Sequence, residues 1–152
     1  MFWGCISRHG RGPLLAVDGS MTGVKYVEIL RRELLPEISY ARETFWADFK
    51  LMHDNAPCHT AKVVKTFLRE NGIEFLDWPP YSPDLNPIEN VWSWMKRKLE
   101  TEYPPAESED ELYDSAVKIW DELTPQLCAQ FCGNYGKRLA AVIKANGMHT
   151  KY

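Results

Sequence analysis

The sequence predicts an α/β domain, a mixed sheet flanked by helices, and three observations carry that reading. Short apolar runs separated by turn residues come first, a strand, helix, strand succession follows, and amphipathic helices fill the second half. A chain of 152 residues, 45% hydrophobic and 26% charged, is large enough to bury a core, and no internal repeat or clear linker divides it.

Each element has its own signal. "MFWGCIS" and "PLLAVDG" flank the turn-forming "RHGRG", the pattern of two antiparallel strands in a hairpin. Thr22 then opens a helix in which Tyr26, Val27, Leu30 and Leu34 recur at helical spacing, with Pro36 as the expected stop. "DFKLMHDN" reads as a short strand ending at His53 and Asp54. "HTAKVVKTFLRENG" reads as a helix with Val63, Val64, Phe67 and Leu68 on one face, closed by Asn71-Gly72, and "IEFLDWPP" as the next strand. A right-handed parallel crossover of this kind puts Asp54 at the carboxyl end of a strand, where ligands of open α/β sheets gather.

After the loop "WPPYSPDLNP", Ile88, Val91, Trp92, Met95 and Leu99 mark an amphipathic helix with Asn86 as N-cap and Pro87 at its first position. "SEDE" opens a second, carrying Leu112, Ala116, Ile119, Trp120 and Leu123. A third starts near Thr124-Pro125 and carries Leu127, Phe131 and the basic tail.

Composition excludes several classes. No apolar run approaches the roughly 18 residues of a membrane helix, and the first residues lack the order of a signal peptide, so an intracellular chain without a membrane partner is expected. Cys5, Cys58, Cys128 and Cys132 form no CxxC pair, and neither a disulfide nor a zinc site is expected. A net charge of −3 argues against an indiscriminate nucleic-acid coat. The average hides an acidic block, "ETEYPPAESEDELYD", and an acid-free stretch from Gln126 to Tyr152 containing Lys137, Arg138, Lys144 and Lys151. Either run reads as a solvated face or as a surface for a partner.

Asp54 and Glu89 are the candidate site carboxylates. One ends a strand and the other lies in the first turn of a helix entered from the next strand, and such carboxylates suit hard divalent cations. Two local readings compete: Asp-Asn-Ala-Pro is a good turn, and Glu89 in "NPIE" can be the returning member of a capping box. Asn55, His59 and Thr60 lie near Asp54, either supporting it or contacting DNA, or serving as a turn amide and helix caps. Asn86 aims Glu89 by starting its helix. Lys96 and Arg97 share a face with Glu89 and Ser93, where they meet DNA phosphates or simply solvent. Trp92 and Trp94 read as packing residues rather than base-stacking platforms.

Several segments resemble the signatures of Tc/mariner superfamily transposases: "HDNAPCHTA", "WPPYSPDLNPIENVWSWMKRKL" and "AVIKANGMHTKY", together with the earlier "FWGCIS" and "VDG". The resemblance covers essentially the whole chain. It implies a ribonuclease H-like catalytic fold and an Asp, Asp, acidic triad holding two Mg²⁺ or Mn²⁺ ions for cleavage and strand transfer of DNA. It places the second Asp on Asp54 and the third acid on Glu89, with 34 residues between them. It also implies a nuclear location, DNA as partner, possible self-association and no small-molecule cofactor.

The first triad Asp belongs to a central strand preceding "FWGCIS", which these residues are not expected to contain, and Asp18 reads as a turn residue. Nor is a counterpart of the family's amino-terminal helix-turn-helix DNA-binding region expected. A sheet lacking its first, central strand exposes strand edges, so marginal stability is expected. The resulting functional expectation is a DDE endonuclease domain inactive alone, the alternative being a noncatalytic nucleic-acid-binding or protein-interaction relic.

Overall fold

The computed structural model describes residues 1–44, 49–133, 135–148 and 150. They fall into two units, one of Met1 with Val17–Ser82 and one of Phe2–Ala16 with Pro83–Tyr152.

In the first unit, Thr22 caps helix α1 (Gly23–Ile29) by accepting from the Lys25 amide at 3.2 Å. The chain does not stop at Pro36. It passes through a π-helical turn (Leu30–Leu34) into α2 (Leu35–Thr44), and the Leu35 amide reaches back five residues to the Leu30 carbonyl. Proline inside a regular helix collides with the preceding turn, and the wider π turn gives its ring room. Tyr26, Val27, Leu30, Leu34 and Ile38 still form one buried stripe.

The segment expected as a single helix from His59 divides at Ala61, whose ψ of 144° is extended. A short turn α3 (Pro57–Thr60) precedes it and α4 (Lys62–Glu70) follows. Val64, Phe67 and Leu68 are buried, but Val63 is 43% exposed and leaves the core face. Asn71 and Gly72 close α4 as expected: Gly72 has φ +60°, and the Ile73 amide returns to the Leu68 carbonyl at 2.9 Å.

The two strands expected around this helix shrink to one parallel bridge, Leu51 with Phe75. Its bonds run from the Leu51 amide to Glu74 O (2.8 Å) and from the Leu76 amide to Leu51 O (2.9 Å). The parallel direction holds, while the expected ladder does not; among the described residues no further strand extends it. Asp48 of the expected first strand lies outside the described residues. Gly23 fixes the approach of α1, since a Cβ there would sit 2.7 Å from the Ala61 Cβ.

The second unit begins with the expected hairpin, β1 (Phe2–Ser7) antiparallel to β2 (Gly10–Ala16), with Ser7 opposite Gly10 and an irregularity between Gly4 and Ile6. Among the described residues four α-helices follow: α5 (Pro87–Glu102), α6 (Glu109–Asp121), α7 (Pro125–Gly133) and α8 (Tyr135–Lys144). The expected third helix is thus two, with Asn134 outside the described residues. Ser108 caps α6 by accepting from the Glu111 amide, and the Glu111 carboxylate returns to the Glu107 amide at 2.8 Å.

Val91, Met95, Ala116, Ile119, Trp120, Leu123 and Cys128 form the core with Leu14. Leu112 is 38% exposed and lies at its edge rather than inside. Trp92 stacks on Trp120 at 5.6 Å, and the Trp120 indole donates to Gly12 O at 2.9 Å. Trp94 packs edge-on against Phe131, so both tryptophans of α5 serve packing.

Candidate active site

Asp54 leaves the Leu51 bridge within three residues, and its carboxylate is fixed from one side. Oδ1 accepts from the Ala56 amide at 2.9 Å and pairs with His59 Nδ1 at 2.6 Å. An ionised carboxylate offers no proton, so Nδ1 of His59 carries it and donates. Oδ2 accepts no hydrogen bond from a described residue, and the side chain is half exposed. The Ala56 bond is the turn expected of Asp-Asn-Ala-Pro, and it leaves the second carboxylate oxygen facing outward.

His59 is held in its turn by rings. It stacks on His53 at 5.1 Å and 7°, and Tyr26 lies 4.3 Å away. The Tyr26 hydroxyl meets His53 Nδ1 at 3.1 Å. Burial, then the neighbouring His59, pushes His53 down to about 4 against a weaker opposing pull from Asp54, so it is neutral near pH 7. His53 and Tyr26 were not legible as site residues: Tyr26 sits on the apolar stripe of α1, and only the fold turns its hydroxyl toward "HDN".

Asn55 supports the loop rather than the carboxylate, donating to Trp78 O at 2.6 Å. Neither His59 nor Thr60 caps α4; Ala61 is its N-cap, and the Thr60 hydroxyl bonds Ala56 O. A recess beside Asp54 is lined by His53, Asn55, His59, Lys65, Asp77 and Trp78, among others. Burial raises the Cys58 thiol above its usual value.

Glu89 belongs to the second unit. Asn86 caps α5 by accepting from the Ile88 amide at 3.4 Å, and Pro87 fills the first helical position. Glu89 is therefore the third residue of the helix, exposed, with its amide on Asn86 O. The Asn86 amide donates to Pro83 O at 2.9 Å, closing a 3₁₀ turn (Pro83–Leu85).

Lys96 and Arg97 are both exposed farther along α5, with Lys96 3.9 Å from Glu100. In the basic tail, Lys137 and Lys144 are exposed and Lys151 lies outside the described residues. Arg138 departs from the expected basic surface: it is 4% exposed, because its guanidinium bonds carbonyls inside the unit.

Hard oxygen donors such as Asp54 Oδ2 and the Glu89 carboxylate fit Mg²⁺ or Mn²⁺. Among the described residues, no group of three or more His, Cys, Asp or Glu side chains is arranged to hold a metal ion. No described helix is long and apolar enough to cross a membrane.

The family model described as DDE superfamily endonuclease matches residues 2–112. The chain belongs to that family. Its Tc/mariner character is equally plain in its relatives. It is 33% identical over 152 residues to the Tcb2 transposase of Caenorhabditis briggsae and 31% identical to the Tc1 transposase of Caenorhabditis elegans. In each case all of the chain matches 54% of the relative, so it spans about half the length of these curated relatives.

Among solved structures it is similar to the Mos1 transposase catalytic domain with raltegravir and Mg, with a TM-score of 0.81 and 20% identity over 99% of this chain and 77% of that one. A Mos1 paired-end complex with the left transposon end gives 0.78 and 20%, over 96% of this chain and 43% of the other. This DDE-family chain therefore has the ribonuclease H-like fold of those catalytic domains.

Proposed function

We propose that the chain is the metal-dependent DNA-cleaving and strand-transferring part of a Tc1/mariner-type transposase, with Asp54 and Glu89 as carboxylate ligands of Mg²⁺ or Mn²⁺. The observation that carries this reading is the Asp54 carboxylate of a DDE-family chain, with one oxygen fixed by Ala56 and His59 and the other left open. Bound ions supply Lewis-acid chemistry at a DNA phosphodiester. The chain's own residues orient the ligands: His59 and the turn hold Asp54, Asn86 starts the helix that presents Glu89, and Lys96 and Arg97 offer cations to phosphates.

Mos1 structures with Mg and with Mn support the choice of metal, and a paired-end complex of that protein with the left transposon end supports transposon-end DNA as partner. Work on chromosomal DNA gives a nuclear location. The triad's first Asp has no counterpart assigned among these residues, so residues 1–152 alone are inactive in cutting.

Mn²⁺ titration of the ¹⁵N-labelled chain tests the ligands. Amides near Asp54 and Glu89 broaden first, and Asp54→Asn or Glu89→Gln removes the effect at its own position; broadening unchanged in both variants sinks the site. Incubation with supercoiled DNA and Mn²⁺ tests activity, where robust cutting lost in both variants overturns the inactivity and upholds the ligands.

A further inference from the structure

Arg138 is a charged side chain taken almost wholly out of water, which is costly unless its donors are met. Its two terminal nitrogens find acceptors on both sides of the junction that introduces α5. Nη1 donates to the Asp84 carbonyl of the 3₁₀ turn at 3.1 Å, and Nη2 to the Phe131 carbonyl of α7 at 3.3 Å. The Asn90 amide, assigned with its oxygen inward as its neighbours require, accepts from Nη1 at 2.9 Å and also from Nη2. Asn90 is the residue after Glu89.

A second clasp holds the same turn. Asp84 is 5% exposed, and its Oδ2 accepts from both the Thr150 amide (3.1 Å) and the Thr150 hydroxyl (2.8 Å). A guanidinium fork from α8 therefore bridges the turn and the first turn of α5, while Thr150 pins the turn's carboxylate. Local capping by Asn86 fixes where α5 starts, but not how its first turn is rotated against the rest of the unit. The fork and the Thr150 clasp fix that rotation.

We propose that Arg138 and Thr150 form a latch that positions Glu89 for metal binding, an inference that rests on reading Glu89 as a metal ligand. Arg138 is then a positioning residue working from the basic segment, not a DNA contact. Lysine keeps the charge but cannot span Asp84, Asn90 and Phe131 from one head.

The test follows Mn²⁺-induced broadening of the Glu89 and Asn90 amides in the full chain, with circular dichroism as the folding control. Arg138→Lys raises the Mn²⁺ midpoint roughly tenfold, as loss of a residue supporting a metal ligand does. Thr150→Val raises it by a smaller factor, and Thr150→Ser, which keeps the hydroxyl, restores the wild-type midpoint. Amide exchange speeds up at Glu89 and Asn90 and is unchanged at Met95.

Folded Arg138→Lys and Thr150→Val chains with wild-type midpoints overturn the latch. If Arg138→Lys does not fold, the Thr150 pair decides the matter alone. Should Glu89→Gln titrate like the wild type, the metal reading of Glu89 falls and takes this inference with it, an outcome distinct from latch failure because it is seen before any latch variant is compared.

Discussion

At the scale of single residues, the Asp54 loop shows one carboxylate doing two jobs because its two oxygens face different surroundings. The Oδ1 bonds to Ala56 and His59 hold the group still, so His59→Ala is expected to weaken Mn²⁺ binding roughly tenfold while leaving helix content intact. An unchanged Mn²⁺ midpoint by paramagnetic broadening would show that the turn alone suffices. His53 makes a separate, pH-linked prediction. Its folded pKa, about 4, lies below the 6.5 of an unperturbed histidine, so between these values the unfolded chain takes up a proton that the folded chain refuses. Stability therefore falls as pH drops from 6.5 toward 4, by on the order of 1–2 kcal/mol once the ring's partial exposure is allowed for. Urea midpoints at pH 7 and pH 5 should differ more for the wild type than for His53→Asn; equal differences would refute the assignment. Asp54 and Glu89 stood out in the sequence because each occupies the end of an element. Tyr26 and His53 did not, since a hydroxyl on an apolar stripe declares itself only when a distant loop arrives beside it.

At the scale of elements, signals confined to one turn of chain were legible and those that depend on neighbours were not. Asn86 with Pro87, Ser108 with Glu111, and Asn71 with Gly72 all act at the helix ends where they were read. Asn86→Ala is accordingly expected to cost about 1 kcal/mol in urea unfolding, and a loss below about 0.3 kcal/mol would deny the cap. Pro36 misled because a proline rule written for regular helices takes no account of the π turn before it. Since that turn already relieves the ring, Pro36→Ala should gain about 1 kcal/mol or less, not the roughly 3 kcal/mol of a proline set in a regular helix. A gain near the larger figure would mean that the π turn stores the strain. The strands around Leu51 and Phe75 were overread for a different reason: apolar runs report burial, and a ladder also needs partners on its free edges.

For the whole molecule, the consequence is that helices rather than sheet carry the packing. The described sheet is one hairpin, and a lone hairpin is marginal without a packed face. Here β2 contributes Leu14 to the core of α5, α6 and α7, while Leu30, Ile38, Val64 and Leu68 are buried in the other unit. Each unit thus has apolar side chains of its own to lose, and damage in one need not spread to the other. Ile119 is fully buried in the second unit, so Ile119→Ala removes its contacts and leaves a cavity, at a cost of about 2–5 kcal/mol. That loss is expected to open α5 and α6 to hydrogen exchange while α4 keeps most of its protection. Leu68→Ala, equally buried in the first unit, should give the reverse pattern. Exchange measured by mass spectrometry on peptides from α4 and α6 decides the point. Equal loss of protection in both peptides, in either variant, would show that the two units unfold as one.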